Sequence, residues 1–232
     1  IGIVFNGSPL FTGDAGSGES EIRKWIIEND WLETIVQLPD SMFFNTGIAT
    51  YLWIVTNKKS SQRKNKIQLI DGSSHFKTLK KSLGNKRKKI SDEGFKKILN
   101  SYLNFQEDEI SKIYKNSHFG YTKVLIEQPI EKNGKLQKVK SGEFKPDTKL
   151  RDYERIPLDE SIDEYFEREV KPYLPKSWID RSKDKIGYEI NFNKHFYQYK
   201  PYRSTREIED DLSKLETESQ NLFNQILKND EI

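Results

Sequence analysis

The sequence predicts an α/β fold, an α+β extension and a long terminal helix. Three observations predict it: strand and helix patterns alternate at the start, regular patterning weakens after residue 120, and a heptad repeat occupies the end. We expect three segments, at residues 1–105, 106–200 and 201–232. With 34% hydrophobic and 32% charged residues, the 232-residue chain should have a small core and long exposed stretches.

The first segment begins with the apolar run IGIVF, which predicts a buried strand. Such a run is typical of a strand interior, so we expect the chain to be part of a longer protein. A Gly/Pro-rich loop should lead to a helix over about residues 19–29, with Ile22, Trp25 and Ile26 on one face. We predict further strands at residues 32–38, 49–55 and 66–70. The order predicts a sheet with parallel members and an antiparallel edge.

A second helix should start at Ser91, with apolar side chains at helical spacing from Phe95 to Tyr102. In the extension we predict a strand at residues 121–130, a polar turn or mobile loop at 131–142, a short helix at 163–170 and a packed extended segment at 195–199.

The end of the chain predicts a helix over residues 205–228. Ser204 and Glu207 have capping-box spacing. The helix would be roughly 35 Å long at 1.5 Å per residue. A seam with 4-3-4-3-4 spacing follows: Ile208, Leu212, Leu215, Ser219, Leu222 and Ile226. The helix either folds back on its own domain or packs on a partner helix, and the spacing after Pro201 favours a partner.

Composition excludes several kinds of site. The chain has no cysteine, which excludes disulfides, thiolate metal sites and cysteine nucleophiles. His75, His118 and His195 are too dispersed for a local metal signature, and we expect structural or surface roles and no bound metal. No apolar stretch is long enough to span a bilayer and no signal peptide is recognisable, so we expect a soluble cytoplasmic protein without membrane contact.

The net charge of +3 is unevenly distributed. Fourteen Lys/Arg residues lie between Lys58 and Lys97 against three acidic residues, whereas the stretch after residue 204 is acidic. The basic cluster Lys86, Arg87, Lys88 and Lys89 could neutralise nucleic-acid phosphates. The alternative, a solvated lysine-rich surface, stays open.

A broken phosphate-loop motif lies at residues 13–20, which read GDAGSGES. Glu19 stands where the motif requires lysine and places a negative charge where a triphosphate needs a positive one. The alternative is a flexible loop in which Ser17 or Ser20 caps the next helix. We therefore set aside a phosphate-binding enzyme.

A second motif, SMFFNTG at residues 41–47, places two aromatic residues in a loop between two predicted strands. An enzyme that acts on a base must extract the base from the stack and hold it against an aromatic face. Composition alone leaves the alternative of a buried phenylalanine pair that anchors the loop.

An ordered set of segments resembles the modification subunits of type I restriction enzymes. In chain order the segments are NGSPLF (6–11), EIRKWIIE (21–28), LP (38–39), FFNTGIAT (43–50), ID (70–71), RKKIS (87–91), FGY (119–121) and GYEI (187–190). The resemblance implies a Rossmann-like adenine-N6 DNA methyltransferase that uses S-adenosylmethionine. It implies that Phe44, or else Phe43, stacks on the flipped adenine, while Asn45, Thr46 and Gly47 shape the pocket rim.

Two elements of that family do not occur in the sequence. The family has a Gly-rich cofactor turn and a catalytic Asn/Asp-Pro-Pro-aromatic tetrapeptide, and this chain contains no Pro-Pro dipeptide. We therefore expect residues 1–105 to be the carboxy-terminal half of the methyltransferase sheet, with no catalytic or cofactor-binding residue and no activity alone. The complete subunit would use S-adenosylmethionine.

The resemblance also implies partners: DNA, a specificity subunit engaged by the terminal helix, and a restriction subunit. The competing hypothesis is a non-catalytic module that joins DNA or protein through its basic loops and terminal helix. The two hypotheses differ in whether the parent gene encodes the cofactor turn and the tetrapeptide upstream of this chain.

Overall fold

The computed structural model describes residues 1–199 and 201–229, with side chains through residue 225. The chain divides into a unit Ile1–Phe196 and a unit Tyr197–Ile232. Within the described residues, no helix combines the length and the apolar character that crossing a membrane requires.

The strands in chain order are β1 (Gly2–Phe5), β2 (Leu32–Leu38), β3 (Thr50–Val55), β4 (Lys66–Asp71), β5 (Phe76–Leu83), β6 (Lys86–Ile90), β7 (Ser111–Lys115), β8 (Gly120–Glu127), β9 (Glu131–Lys132), β10 (Lys135–Leu136), β11 (Asp152–Pro157) and β12 (Trp178–Tyr188). The helices are α1 (Ser8–Phe11), α2 (Gly18–Glu28), α3 (Asp92–Asn104), α4 (Ile162–Tyr165), α5 (Phe192–Phe196) and α6 (Thr205–Asn229). A π-helical turn, Phe166–Val170, continues α4.

The main sheet has the strand order β1-β3-β2-β4-β7. Strands β2 and β4 are parallel, and the other neighbours are antiparallel. Because β3 is antiparallel to both β1 and β2, strands β1, β2 and β4 share one direction and end at the same edge of the sheet. The predicted α/β class is confirmed, and an antiparallel strand lies inside the sheet as well as at its β7 edge.

The first strand forms as predicted, but the prediction that it is buried is wrong. Strand β1 forms, but its side chains are exposed, with Ile3 at 36%, Val4 at 47% and Phe5 at 37%. Among the described residues β1 pairs with β3 alone, so its second edge has no neighbour. The core instead lies under the central strands, around Leu32, Ile35, Trp53, Ile67 and Leu69.

Helix α2 forms where predicted but turns a different face inward. Ser20, Arg23 and Ile27 are buried, whereas Ile22 and Trp25 are more than half exposed. Arg23 is buried because its guanidinium donates hydrogen bonds to the carbonyls of Pro9 and Thr12 and to that of Tyr188 on β12. Ser17 occupies the N-cap position without a side-chain cap hydrogen bond.

Helix α3 starts as predicted. The Ser91 side chain accepts a hydrogen bond from the Gly94 backbone NH at 3.0 Å, which satisfies one of the free donors of the first turn. Ile98 and Tyr102 pack on a core cluster that contains Val36, Leu38 and Ile70. The helix therefore covers the β2–β4 part of the sheet.

The extension is a three-stranded antiparallel sheet, β11-β8-β12. Val124, Ile126 and Ile156 pack under Phe166 and Val170 from the predicted short helix. The predicted polar turn within residues 131–142 forms as a short hairpin, β9–β10, around Asn133 and Gly134. The prediction of a packed extended segment at 195–199 is wrong: its first two residues belong to α5, and Tyr197 and Tyr199 are exposed.

The terminal helix α6 forms over Thr205–Asn229, as the heptad spacing predicts. Its capping box is complete: the Ser204 NH donates to Glu207 Oε2 at 2.8 Å, and the Glu207 NH donates to Ser204 Oγ at 3.3 Å. The helix is about 37 Å long.

Candidate functional site

Three loops meet the sheet edge at which β1, β2 and β4 end. They begin at Asn6, Pro39 and Gly72 respectively. The register aligns Phe5 with Tyr51 and aligns Gln37 with both Tyr51 and Asp71, so the strand ends are level. In open α/β sheets the crevice outside the carboxyl ends of the strands is the usual ligand-binding position.

The loop between β2 and β3 carries the aromatic pair. Phe43 forms an isolated antiparallel bridge with Thr46, which closes a tight turn over Phe44 and Asn45. Phe43 is 37% exposed and Phe44 is 57% exposed. The alternative of a buried phenylalanine pair is therefore wrong, and Met42 is the loop residue that packs into the core.

A β5–β6 hairpin docks against this loop by backbone hydrogen bonds. The Asn85 NH donates to the Phe44 carbonyl at 3.1 Å, and the NH groups of Arg87 and Lys88 donate to the Ser41 carbonyl at 2.9 and 3.1 Å. Backbone contacts of this kind fix the position of the loop independently of side-chain chemistry. The hairpin and the aromatic loop form one surface.

The basic cluster predicted to contact phosphates lies on β6 of this hairpin. The Lys86 ammonium lies 4.9 Å from the centroid of the Phe44 ring, a cation–π contact. Lys88 is paired with Asp40 at 2.8 Å, and its hydrogen bond lowers the pKa of that carboxyl. Arg87 and Lys89 are exposed. Three of the four side chains therefore carry charge that no described carboxylate neutralises within 4.0 Å.

The Gly-rich loop at residues 13–18 is directed at the extension. Asp14 pairs with Lys123 and lies 3.5 Å from Arg155. A side chain at Gly13 would collide with Ser17 and Glu19, and one at Gly16 would meet Lys185 of β12 at 3.1 Å, whereas Gly18 faces open space. The loop is thus packed on its own residues at Gly13 and on β12 at Gly16.

His118 and His195 belong to an aromatic cluster in the unit Ile1–Phe196. His118 stacks on Tyr114 at 4.3 Å between centroids, and His195 lies 4.5 Å from the same ring. Burial lowers the pKa of His195 from 6.5 to about 4. Within the described residues no group of three or more His, Cys, Asp or Glu side chains is arranged to hold a metal ion.

Sequence reasoning did not predict the hairpin that joins the two candidate motifs. Its strands read FKTLKKSL and KRKKI, in which lysines mask the alternation of a strand. The Gly84-Asn85 pair between them is a two-residue turn signal, and Gly84 has φ +62°. That signal could have located the turn.

Comparison with known proteins agrees with the ordered segments. The model of the N-6 DNA methylase family matches residues 1–144. The methylase subunit of the type I restriction enzyme MjaIX from Methanocaldococcus jannaschii is 32% identical over 171 residues, which cover 74% of this chain and 29% of that protein. The MjaVII methylase subunit of the same organism is 29% identical, with 74% and 26% covered.

A solved structure also matches. The type I restriction-modification methyltransferase subunit from Streptococcus thermophilus is 28% identical with a TM-score of 0.44, over 51% of this chain and 23% of that one. The chain spans less than a third of the length of the curated relatives MjaIX and MjaVII. The family model covers more than half of the chain, and the relatives confirm the resemblance to type I modification subunits; the chain belongs to the N-6 DNA methylase family.

Proposed function

We propose that the chain is the carboxy-terminal part of an adenine-N6 DNA methyltransferase subunit of a type I restriction-modification system. In this proposal it supplies the loop that receives the target base and a surface for subunit docking, and it is inactive alone. The observation that carries the proposal is the exposed Phe43-Phe44 pair at the carboxyl edge of the sheet, with a basic hairpin fixed beside it.

The aromatic loop has the properties that a base-extracting enzyme needs. An extruded adenine loses its stacking partners, and the exposed Phe44 ring can replace one of them. Lys86, Arg87 and Lys89 on the docked hairpin provide positive charge for the phosphates near the extruded nucleotide. Asn45, Thr46 and Gly47 form the side of the turn next to Phe44 and would shape the pocket rim.

The exposure of strand β1 supports a methyltransferase sheet that another part of the subunit completes. A cavity of about 440 Å³ lies between β1, β3 and α2, and its apolar lining includes Ile3, Phe5, Ile22, Trp53 and Val55. An apolar strand edge and an apolar groove in contact with water are unfavourable, so both favour a covering partner. We propose that another strand of the methyltransferase domain pairs with β1 and covers this groove.

S-adenosylmethionine would supply the methyl group in the complete subunit. The Gly-rich loop at 13–18 does not fit it, because Asp14 is paired to Lys123 of β8 and Arg155 of β11, and Ser17 and Glu19 occupy the space beside Gly13. We therefore derive no step through the cofactor from this chain. Its residues would receive and orient the base, while the methyl donor and the catalytic tetrapeptide belong to the remainder of the subunit.

The terminal helix supports docking to a specificity subunit. The seam residues Ile208, Leu212, Leu215 and Leu222 are 44%, 61%, 61% and 60% exposed, whereas the Ile226 side chain lies outside the described residues. An apolar heptad seam of this length is typical of a helix that packs on another helix. The restriction subunit would join the same assembly.

The experiment compares this 232-residue chain with the complete subunit encoded by its gene, assembled with its specificity subunit. Transfer of a labelled methyl group to adenine N6 is measured on DNA that carries the recognition site. The proposal expects methylation by the assembly and none by the chain alone. The non-catalytic module becomes the better account if the assembly transfers no methyl group to adenine.

A further inference from the structure

The turn of the β5–β6 hairpin presents an apolar side chain to solvent. Leu83 pairs with Lys86 across the two-residue Gly84-Asn85 turn, and Leu83 is 52% exposed. The pairing of β5 with β6 shifts in register between Thr78 and Leu83, where five steps along β5 face two steps along β6. Regular pairing is therefore interrupted immediately before the turn.

This turn contacts the aromatic loop, which carries Phe43 and Phe44, directly. The Asn85 NH bonds to the Phe44 carbonyl at 3.1 Å, and a side-chain carbon at Gly84 would lie 3.0 Å from the same oxygen. Leu83 is one residue from Gly84, which is roughly 3.8 Å between Cα atoms. Leu83 is therefore within a few ångströms of the loop that carries Phe44.

The surroundings of Leu83 are strongly basic. Residues 72–91 contain seven Lys/Arg residues and no Asp or Glu. Charge of this sign and density suits a nucleic-acid phosphate backbone. A leucine adds nothing to phosphate contact, but its apolar side chain is suited to contact with the bases.

We propose that Leu83 enters the base stack of the DNA duplex and fills the space that the extruded adenine leaves. This inference rests on the proposed function, because it requires a base to be extruded toward Phe44. Proteins that distort a duplex insert apolar side chains between base steps, which offsets the stacking lost there. The basic arms of the hairpin hold the backbone while the turn occupies the gap.

A side chain in this role acts on the extrusion equilibrium. Its removal should affect a fully paired target adenine strongly and a mispaired target weakly, because a mispaired base is already easier to extrude. A residue that only contacts phosphates would affect both duplexes equally. We call this insertion of Leu83 into the base stack the wedge. A larger loss of extrusion on the paired duplex than on the mispaired duplex therefore distinguishes the wedge from a phosphate contact.

The experiment places 2-aminopurine, whose fluorescence rises on unstacking, at the target adenine. The complete subunit assembled with its specificity subunit is tested as wild type, Leu83→Ala, Leu83→Met and the control Leu103→Ala, which truncates a leucine that is 59% exposed on α3. We expect Leu83→Ala to reduce the fluorescence rise about fivefold or more on the paired duplex and less than about twofold on a mispaired duplex. Leu83→Met and Leu103→Ala should behave as wild type.

The outcomes separate the two proposals. If wild type extrudes the base but Leu83→Ala does so equally well, or loses signal equally on both duplexes, the wedge is wrong and the proposed function stands. Failure of Leu83→Met to preserve the signal also contradicts the wedge. If wild type neither methylates adenine nor unstacks 2-aminopurine, the proposed function fails and the wedge fails with it.

Discussion

Arg23 of α2 donates a hydrogen bond from Nε to the backbone carbonyl of Tyr188 on β12. The same guanidinium donates from Nη1 to the carbonyls of Pro9 and Thr12 at 2.9 and 3.1 Å. One buried side chain thereby joins α1 and the residue after it, helix α2 and strand β12 of the extension sheet.

Replacement of Arg23 by methionine should destabilise the chain by about 2–4 kcal/mol, because the buried hydrogen bond to Tyr188 and the two half-buried hydrogen bonds to Pro9 and Thr12 are lost. Arg23→Lys should recover part of the loss, since an ammonium can reach fewer of the three acceptors. Urea unfolding measures both. Lys24→Met is the neighbouring control and should cost less than about 0.5 kcal/mol. An unfolding midpoint for Arg23→Met equal to that of wild type contradicts this role.

The helix face shows how far sequence patterns reach in this fold. Periodicity located α2 correctly and predicted one apolar face with Ile22, Trp25 and Ile26. Ile22 and Ile26 line the groove beside β1, Trp25 contacts Trp31, and the buried positions include an arginine instead. Helical periodicity indicates that a face is apolar, but it does not indicate which other segment of the protein packs on that face. The burial of Arg23 depends on carbonyls 11, 14 and 165 residues away, which the periodicity of the helix does not contain.

Ile3 tests whether β1 becomes buried in the complete subunit. In the chain alone, where Ile3 is 36% exposed, Ile3→Asp should cost about 1 kcal/mol. In the complete subunit the same change should cost about 3–5 kcal/mol, because the carboxylate would be buried without a partner. Urea unfolding of both proteins measures the difference, and Leu103→Asp should cost the same in each. Equal costs for Ile3→Asp in the two proteins mean that no strand covers β1.

The terminal helix should release its partner when the seam is charged. We expect the triple variant Leu212→Asp, Leu215→Asp and Leu222→Asp to abolish co-purification with the specificity subunit, since three carboxylates would enter an apolar interface. The control changes the opposite face by the same charge: Thr217→Asp, Asn221→Asp and Asn224→Asp. Circular dichroism confirms that both variants fold. Retained assembly of the seam variant contradicts docking through this face.

Stability should fall on acidification because His195 resists protonation. Burial lowers its pKa from 6.5 to about 4 in the folded chain, so between those values the unfolded chain binds more protons. Stability contributed by the neutral ring is complete above about pH 6.5 and is lost toward pH 4. His195→Phe should reduce the loss between pH 7.5 and 5. Urea midpoints at both pH values measure it, and an unchanged difference removes His195 as the cause.

In the candidate site, the sequence predicted the aromatic loop but not the hairpin that docks against it. The aromatic loop follows from turn residues between two strands, and its exposure from the tight Phe43–Thr46 bridge. The docking of the hairpin follows from backbone hydrogen bonds between Ser41 or Phe44 and residues more than 40 positions away. Backbone pairing at that separation leaves no side-chain pattern, so the sequence indicated two motifs but not their contact.

Methylation by a Phe44→Ala variant of the complete, assembled subunit tests the central claim most directly. Loss of one stacking face is worth about 1–3 kcal/mol, so kcat/KM for adenine methylation should fall roughly 5- to 150-fold while binding to the specificity subunit is unchanged. Phe44→Trp should retain most of the activity, and the control Phe95→Ala, at an exposed α3 position, should retain all of it. Wild-type methylation by Phe44→Ala would contradict the assignment of this loop to the target base.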